Sequence, residues 1–311
     1  MRDYPDPTDE QWEAIRSIDD HLLVASSAGT GKTYTIITRI LYQLGVEFRG
    51  ETCPSPIELS DVAAITFTNK AGAELKTKLR DALRAVGRRR EAYRVDSARL
   101  GTIHSFCANV LREFALRTGR DPSMELVDEA EGLAFQADSV RDALLTALED
   151  KLIPSLEEIV AEYNVGRIEQ QVVRLITQGD RLSDLLARVN EHAPREQAIL
   201  RLAELARDTL VTKLESDSRV DYDRLVIWTR DLLRDDSTVR RALQRRIKVL
   251  FIDEFQDVDP VQREIAYLLG DPSDWRGNGT KLVLVGDPKQ SIYRFRNADV
   301  TVWHDVERDF S

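Results

Sequence analysis

Cysteine and histidine are scarce in this 311-residue chain, and long apolar runs are absent. Two cysteines, Cys53 and Cys107, supply no disulfide framework, so a reducing cytoplasm is the expected setting. The four histidines, at 21, 104, 192 and 304, lie at no zinc-ligand spacing from each other or from a cysteine, and no structural metal is expected. No stretch approaches the ~20 apolar residues of a membrane span. The start, MRDYPDPTDEQ, is acidic and polar, unlike a signal peptide. Repeats and low-complexity tracts are missing too. What remains is an ordinary soluble composition, 42% hydrophobic and 32% charged, in a chain long enough for two domains.

The net charge of −10 argues, taken alone, against a nucleic-acid binder. Binding follows local potential, however, and a basic strip can sit on an acidic protein. Between Lys76 and Arg99 run Lys76, Lys78, Arg80, Arg84, Arg88, Arg89, Arg90, Arg94 and Arg99. A solvated helix face is the plain alternative for such a run.

The stretch that organises the chain lies near its start. Leu22-Leu23-Val24-Ala25 reads as a buried strand, followed by Ser26-Ser27-Ala28-Gly29-Thr30-Gly31-Lys32-Thr33 and an apolar, helix-compatible segment. Strand, small-residue loop, Lys-Thr and helix is the setting of a phosphate-binding P-loop. Backbone N–H groups of the loop and the helix start converge on an anion. Lys32 adds a mobile charge for the β- and γ-phosphates, and the Thr33 hydroxyl suits Mg²⁺. Ser26 stands where the pattern has its first glycine.

Before this loop, Thr8 and Gln11 have the spacing of a capping box. Gln11 also has the donor and acceptor that the edge of adenine requires. After it, a Gly, Pro and Ser-rich loop, 45–60, precedes a second expected strand, Val62–Phe67, and a helix over Ala71–Val86. Thr68-Asn69-Lys70 falls at the strand's C-terminal end, where open α/β sheets gather ligand contacts. Leu100–Phe106 leads into another helix. Thr102, His104 and Ser105 suit phosphate, although a lone His there also reads as a cap.

From about residue 117 to 217 strands disappear, and amphipathic helices are expected over Ala130–Leu148, Val165–Ile176 and Arg195–Leu214. Gly119–Pro122 and Glu215–Arg219 read as linkers. The α/β pattern then resumes. One strand, Ile247–Ile252, ends in Asp253-Glu254-Phe255-Gln256-Asp257. Another, Leu282–Val285, ends in Gly286-Asp287-Pro288-Lys289-Gln290-Ser291-Ile292-Tyr293-Arg294-Phe295-Arg296. The expected domains are therefore 1–116 and 219–311, together one α/β domain, split by a helical insertion at 117–218.

SSAGTGKT, TFTNKAGAEL, GTIHSFC, DEFQD and GDPKQSIYRFR, in this order, closely resemble the N-terminal half of a superfamily 1 DNA helicase of the UvrD/Rep class. The P-loop version, the long loop before TFTN and the Pro-Lys of GDPKQ look most like the RecB/AddA branch. The resemblance implies a RecA-like P-loop NTPase domain with a parallel sheet, interrupted by an all-helical insertion. It also makes Ser26 ordinary, since the family often lacks the first P-loop glycine.

The resemblance implies roles as well. Ser26 to Thr33 would hold the phosphates of ATP, with Thr33 and Asp253 on Mg²⁺. Glu254 would polarise the attacking water, and Gln290 would sense the γ-phosphate and relay its state. Gln11 would contact adenine, Tyr34 would lie near the base, and Asp287 would complete the ATP site. Single-stranded DNA would meet Thr66, Phe67, Thr68, Asn69, Thr102, His104 and Ser105, and would stack on Tyr293, Phe295 and Arg296. Taken without the motifs, Phe67 and Phe295 also read as buried core aromatics.

Gly72 and Leu75 replace the commoner Ala and Met, and Asn297 replaces the Gly of the usual FRGA. The family's second RecA-like domain and any nuclease domain would lie beyond Ser311, so the chain alone is expected to turn ATP over slowly. The implied parent is a 3′-to-5′ helicase or helicase–nuclease subunit of DNA repair or recombination. It would act at single-strand and duplex junctions, by itself or within a complex containing a partner subunit. A non-enzymatic ATP- and DNA-binding module acting through partners, and an anti-phage defence helicase, are the alternatives.

Overall fold

Short runs of apolar residues bounded by polar turns build a five-stranded parallel sheet, and longer amphipathic stretches build helices around it or apart from it. The structure, a computed structural model, describes residues 4–26, 31–177, 181–189, 193–271, 279–287, 290 and 300–310. In chain order come α1 (Asp9–Arg16), β1 (Leu22–Ala25), α2 (Lys32–Gln43), β2 (Val62–Thr66), α3 (Asn69–Ala85), α4 (Arg89–Arg94), β3 (Arg99–Thr102) and α5 (Ile103–Glu113). There follow α6 (Ala115–Thr118), β4 (Glu125–Leu126), α7 (Glu129–Glu149), α8 (Leu156–Glu162), α9 (Val165–Ile176), α10 (Arg181–Arg188), α11 (Pro194–Ser216), β5 (Arg219–Val220) and α12 (Tyr222–Asp235). After these come α13 (Ser237–Arg246), β6 (Val249–Ile252), α14 (Pro260–Leu269), β7 (Lys281–Gly286) and α15 (Val300–Asp309). Two compact units result, Met1–Leu111 with Val226–Ser311, and Arg112–Leu225.

In the first unit the strand order is β1-β7-β6-β2-β3, every pair parallel. Apolar residues fill consecutive positions of β2 and β6, as a sheet covered on both faces requires. On one face Ala64, Phe251, Val283 and Val285 pack under Ile36 and Ile40 of α2 and Leu75, Leu79 and Leu83 of α3. Each such large side chain, fully buried, contributes about 1.5–3 kcal/mol. The register sets Ala25 beside Gly286, Ile65 beside Ile252 and Thr66 beside Thr102. The carboxyl ends of the strands therefore lie within two residues of one another. The Ser26 amide donates to Gly286 O (2.9 Å) and the Asp253 amide to Ile65 O (2.9 Å). One edge thus receives segments that lie far apart in sequence, the usual place for a ligand in such a sheet.

The second unit packs α7, α8, α9 and α10 around α11. Alanines at 143 and 147 of α7 and at 198, 203 and 206 of α11 are buried, and their small side chains let the helices approach closely. A two-residue parallel pair, β4 with β5, joins the start of this unit to its end. Arg219 bridges Glu125 there at 3.3 Å, and Ser218 donates to Asp121 at 2.7 Å. Among the described residues this small pair is the one departure from an all-helical insertion.

Boundaries shift where capping chemistry decides them. β2 stops at Thr66 and α3 starts at Asn69, because Thr68 is an N-cap whose hydroxyl accepts from the Ala71 amide (3.1 Å). β6 starts at Val249, since the Ile247 amide still donates to Leu243 O (2.8 Å) and closes the last turn of α13.

Candidate functional site: a nucleotide cavity and its strand-end neighbours

The helix that bears Lys32 begins abruptly after Gly31. That residue holds φ +90°, a left-handed conformation open to glycine at little cost. Lys32 and Thr33 then form the first turn of α2 and line a cavity of about 780 Å³. Asp253, Glu254, Tyr34 and Gln290 line the same cavity. Ser26 directly follows β1, held to the end of β7 by its amide; Ser27, Ala28, Gly29 and Thr30 lie outside the described residues.

Lys32 Nζ donates to Glu254 Oε2 at 3.1 Å, across 222 positions of sequence. Glu254 itself holds φ 53° and ψ 45°, an uncommon conformation for a residue with a Cβ. Gln256 Nε2 donates to the same Glu254 Oε2 at 2.7 Å. The other end of that amide, Oε1, accepts from the Asp287 amide at 2.9 Å. Gln290 Nε2 then donates to Asp287 Oδ2 at 2.9 Å. A continuous hydrogen-bonded path therefore runs from Lys32 through Glu254, Gln256 and Asp287 to Gln290. Gln256, only 6% exposed, is the link that sequence reasoning passed over. It stood inside the DEFQD motif without a role.

Acidity is concentrated here. Burial, and next the Glu254 charge, raise the pKa of Asp253. The same two causes push Asp257 up to about 6. Asp257 Oδ1 is buried without a hydrogen-bond partner among the described residues. A cation beside Asp253 would relieve this crowding, and Thr33 lines the same space, so the residues present fit Mg²⁺ held with the help of a ligand's phosphates. Among the described residues no group of three His, Cys, Asp or Glu side chains could hold a metal by itself.

α1 lies against Gly31, beside the cavity. Its capping box is formed, with the Thr8 amide donating to Gln11 Oε1 (3.1 Å) and the Gln11 amide to Thr8 Oγ1 (3.3 Å). A Cβ added at Gly31 would meet Gln11 Nε2 at 3.0 Å, so the amide's nitrogen end rests on the loop. The cap and a contact beside the nucleotide loop coexist. Fully buried Arg39 of α2 fixes α1 by donating to Ala14 O and to Ser17 O (2.7 Å). Burial pulls Arg39 down to about 10. Tyr34 stacks on Tyr4 at 5.6 Å and donates to Pro5 O (2.7 Å). Tyr4 lines the cavity too, and burial pushes its hydroxyl up to about 12. Nothing in the polar start of the chain signalled it.

Along the same strand edge, Phe67 is half-buried, and Thr68, Asn69 and Ser105 are exposed. His104 is half-buried, and burial lowers its pKa. Two of the expected DNA contacts have little exposure. Thr66 is 2% exposed and donates its hydroxyl to Thr68 O (3.1 Å). Thr102 is buried, and its hydroxyl accepts from the Ser105 amide (3.3 Å). Both hydroxyls serve the turn from strand to helix. Tyr293, Phe295 and Arg296 lie outside the described residues. Elsewhere His21 Nδ1 accepts from the Leu282 amide (3.0 Å), a structural role, and burial raises the thiols Cys53 and Cys107, the latter to about 12. Among the described residues no helix is long and apolar enough to cross a membrane.

A parallel sheet with a Lys-Thr helix start after its first strand, facing an Asp-Glu pair from β6 across a shared cavity, defines a RecA-like P-loop NTPase domain. More narrowly, the chain belongs to the family described as UvrD/REP helicase N-terminal domain, which matches residues 7–311. It is 27% identical to the ATP-dependent DNA helicase UvrD2 of Mycobacterium tuberculosis, over 97% of this chain and 39% of that protein. It is 30% identical to an ATP-dependent helicase/nuclease subunit of Bacillus licheniformis, over 70% of this chain and 17% of that protein. It is 25% identical to the ATP-dependent DNA helicase SRS2 of Saccharomyces cerevisiae, over 94% of this chain and 23% of that protein. The chain thus spans well under half the length of these relatives.

Proposed function

We propose that this chain is the ATP-binding motor domain of a DNA helicase or translocase that moves 3′ to 5′ on single-stranded DNA. The observation that carries the reading is the Lys32–Glu254 contact at 3.1 Å, inside a cavity shared with Asp253 and Gln290. A triphosphate would compete for Lys32, whose ammonium would leave Glu254 for the phosphate oxygens. Glu254 would then be released to orient and polarise a water. Because Gln256 holds the same Glu254 oxygen, its amide would feel that release and pass it through Asp287 to Gln290. Mg²⁺ held by Thr33 and Asp253 would supply charge neutralisation at the transferring phosphoryl group. Phe67, Thr68, Asn69, His104 and Ser105, with Tyr293, Phe295 and Arg296, would form the single-strand face.

Intact Asp253 and Glu254 favour an enzyme over a passive binding module. A cytoplasmic role in repair or recombination completes the reading, with a partner protein of the kind implied by the helicase/nuclease name of the Bacillus licheniformis relative. The test is binding of an oligothymidylate by the Glu254→Gln chain, with and without Mg²⁺ and ATP, alongside hydrolysis by the unmodified chain. Single-strand affinity that changes with nucleotide supports the reading. Absence of single-strand binding in both states overturns it.

A further inference from the structure

Apart from Lys78, the basic stretch that runs from α3 into α4 takes no part in the nucleotide cavity. The turn after α3 is firmly made. The Gly87 amide donates to Arg84 O (3.1 Å) and the Arg88 amide to Leu83 O (2.7 Å), with Gly87 at φ +80°. α4 is then pinned by buried Ala92 and Val95 and by Arg88, which donates to Leu44 O at 2.8 Å. Every neighbouring carboxylate of the stretch that forms an ion pair does so with some other arginine. Asp81 pairs with Arg84 (3.5 Å), Glu91 with Arg88 (3.3 Å) and Asp96 with Arg80 (2.6 Å). Arg89, Arg90 and Arg94 are exposed and have no carboxylate partner among the described residues. Tyr93 stands among them, 82% exposed, one helical turn from Arg89 and Arg90 and next to Arg94.

We infer that α4 is a second contact for single-stranded nucleic acid, with Tyr93 stacking on a base and Arg89, Arg90 and Arg94 holding phosphates. The choice of ligand rests on the single-strand reading of the strand-end face. A protein partner would want apolar surface around the tyrosine, whereas the exposed neighbours of Tyr93 on α4 are arginines, whose uncompensated charge suits a phosphate chain. α4 follows the far end of α3 from Thr68, and the 17 residues of α3 span about 25 Å. A stacked strand at about 3.4 Å per nucleotide needs roughly seven nucleotides to cover that distance. A short oligomer would therefore reach one contact, and a long one both.

The test is salt-dependent binding of thymidine 6-mers and 30-mers to the full chain. Arg89, Arg90 and Arg94 are replaced together by Ala or by Lys, and Tyr93→Ala and Phe67→Ala are made singly. The triple Ala variant is expected to bind the 30-mer more weakly, with a log–log salt slope shallower by about 2, from roughly 0.7 per phosphate contact. The triple Lys variant keeps the slope. Tyr93→Ala weakens the 30-mer by about tenfold, within the range of one lost stack. The 6-mer is unaffected by the α4 variants and weakened by Phe67→Ala. Unchanged 30-mer affinity and slope in the triple Ala variant overturns the inference alone, as does equal weakening of 6-mer and 30-mer. A Phe67→Ala chain with unaltered 6-mer binding removes Phe67 from the strand-end face and leaves α4 standing. No binding of either oligomer by the unmodified chain overturns both.

Discussion

Glu254 is the residue on which the site turns, because one of its oxygens receives both Lys32 and Gln256. Glu254→Gln keeps the shape and removes the charge that would polarise water. ATP affinity is expected to stay within a few-fold while hydrolysis by the complete protein falls to background, as read from parallel binding and phosphate-release assays. Loss of binding equal to that in Lys32→Ala would show a structural role instead. Asp257 gives a pH prediction. Its pKa is raised from the ordinary 3.8 to about 6 by burial and then by Glu254. The unfolded chain ionises it first, so its contribution favours the fold fully below about pH 4 and is lost as pH rises through about 6. Relative to Asp257→Asn, the unmodified chain should lose stability across that window and hold a constant difference above it. Denaturant midpoints at intervals from pH 4 to 7 would check this, and a pH-independent difference would contradict it.

At the scale of elements, the ends of β2 and β7 carry the consequences. A Cβ at Gly286 would lie 2.5 Å from Gln256 Oε1 and 2.8 Å from the Trp303 ring. Gly286→Ala is expected to cost about 1–3 kcal/mol, the usual range for overpacking, and to disturb the link between Gln256 and Asp287. Unchanged urea unfolding would refute the close approach. Phe67, half-buried just past β2, tests the neighbouring face. Phe67→Ala should weaken single-strand binding by ~1–3 kcal/mol with little change in Tm. A loss of ~3–5 kcal/mol in stability with unaltered affinity would make it a core aromatic.

Four of the five sheet strands were legible because apolar runs of four to six residues have few other readings; β3, Arg99–Thr102, carries no such run. Their ends were less so. Thr66 and Thr102 are buried, and their hydroxyls bond backbone groups that close the strand-to-helix turns. Composition alone carries no sign of that choice.

For the whole molecule, the motifs revealed which segments share an edge, since parallel pairing levels the strand ends whatever the distance in sequence. They could not reveal the path between segments. Gln256 acquires its place only when β6 and β7 lie side by side, and Tyr4 only when the chain start folds over Tyr34. The second unit, Arg112–Leu225, yielded α7, α9 and α11 to periodicity, while α8, α10 and the small β4–β5 pair were too short to read.

The measurement closest to the central claim is calorimetric titration of ATP into this chain with Mg²⁺ and with a chelator, repeated on Lys32→Ala. Saturable binding at one site, weakened by the chelator and by Lys32→Ala at an unchanged melting temperature, is the expected result. Equal affinity in the Lys32→Ala chain, or no binding by the folded unmodified chain, would contradict it.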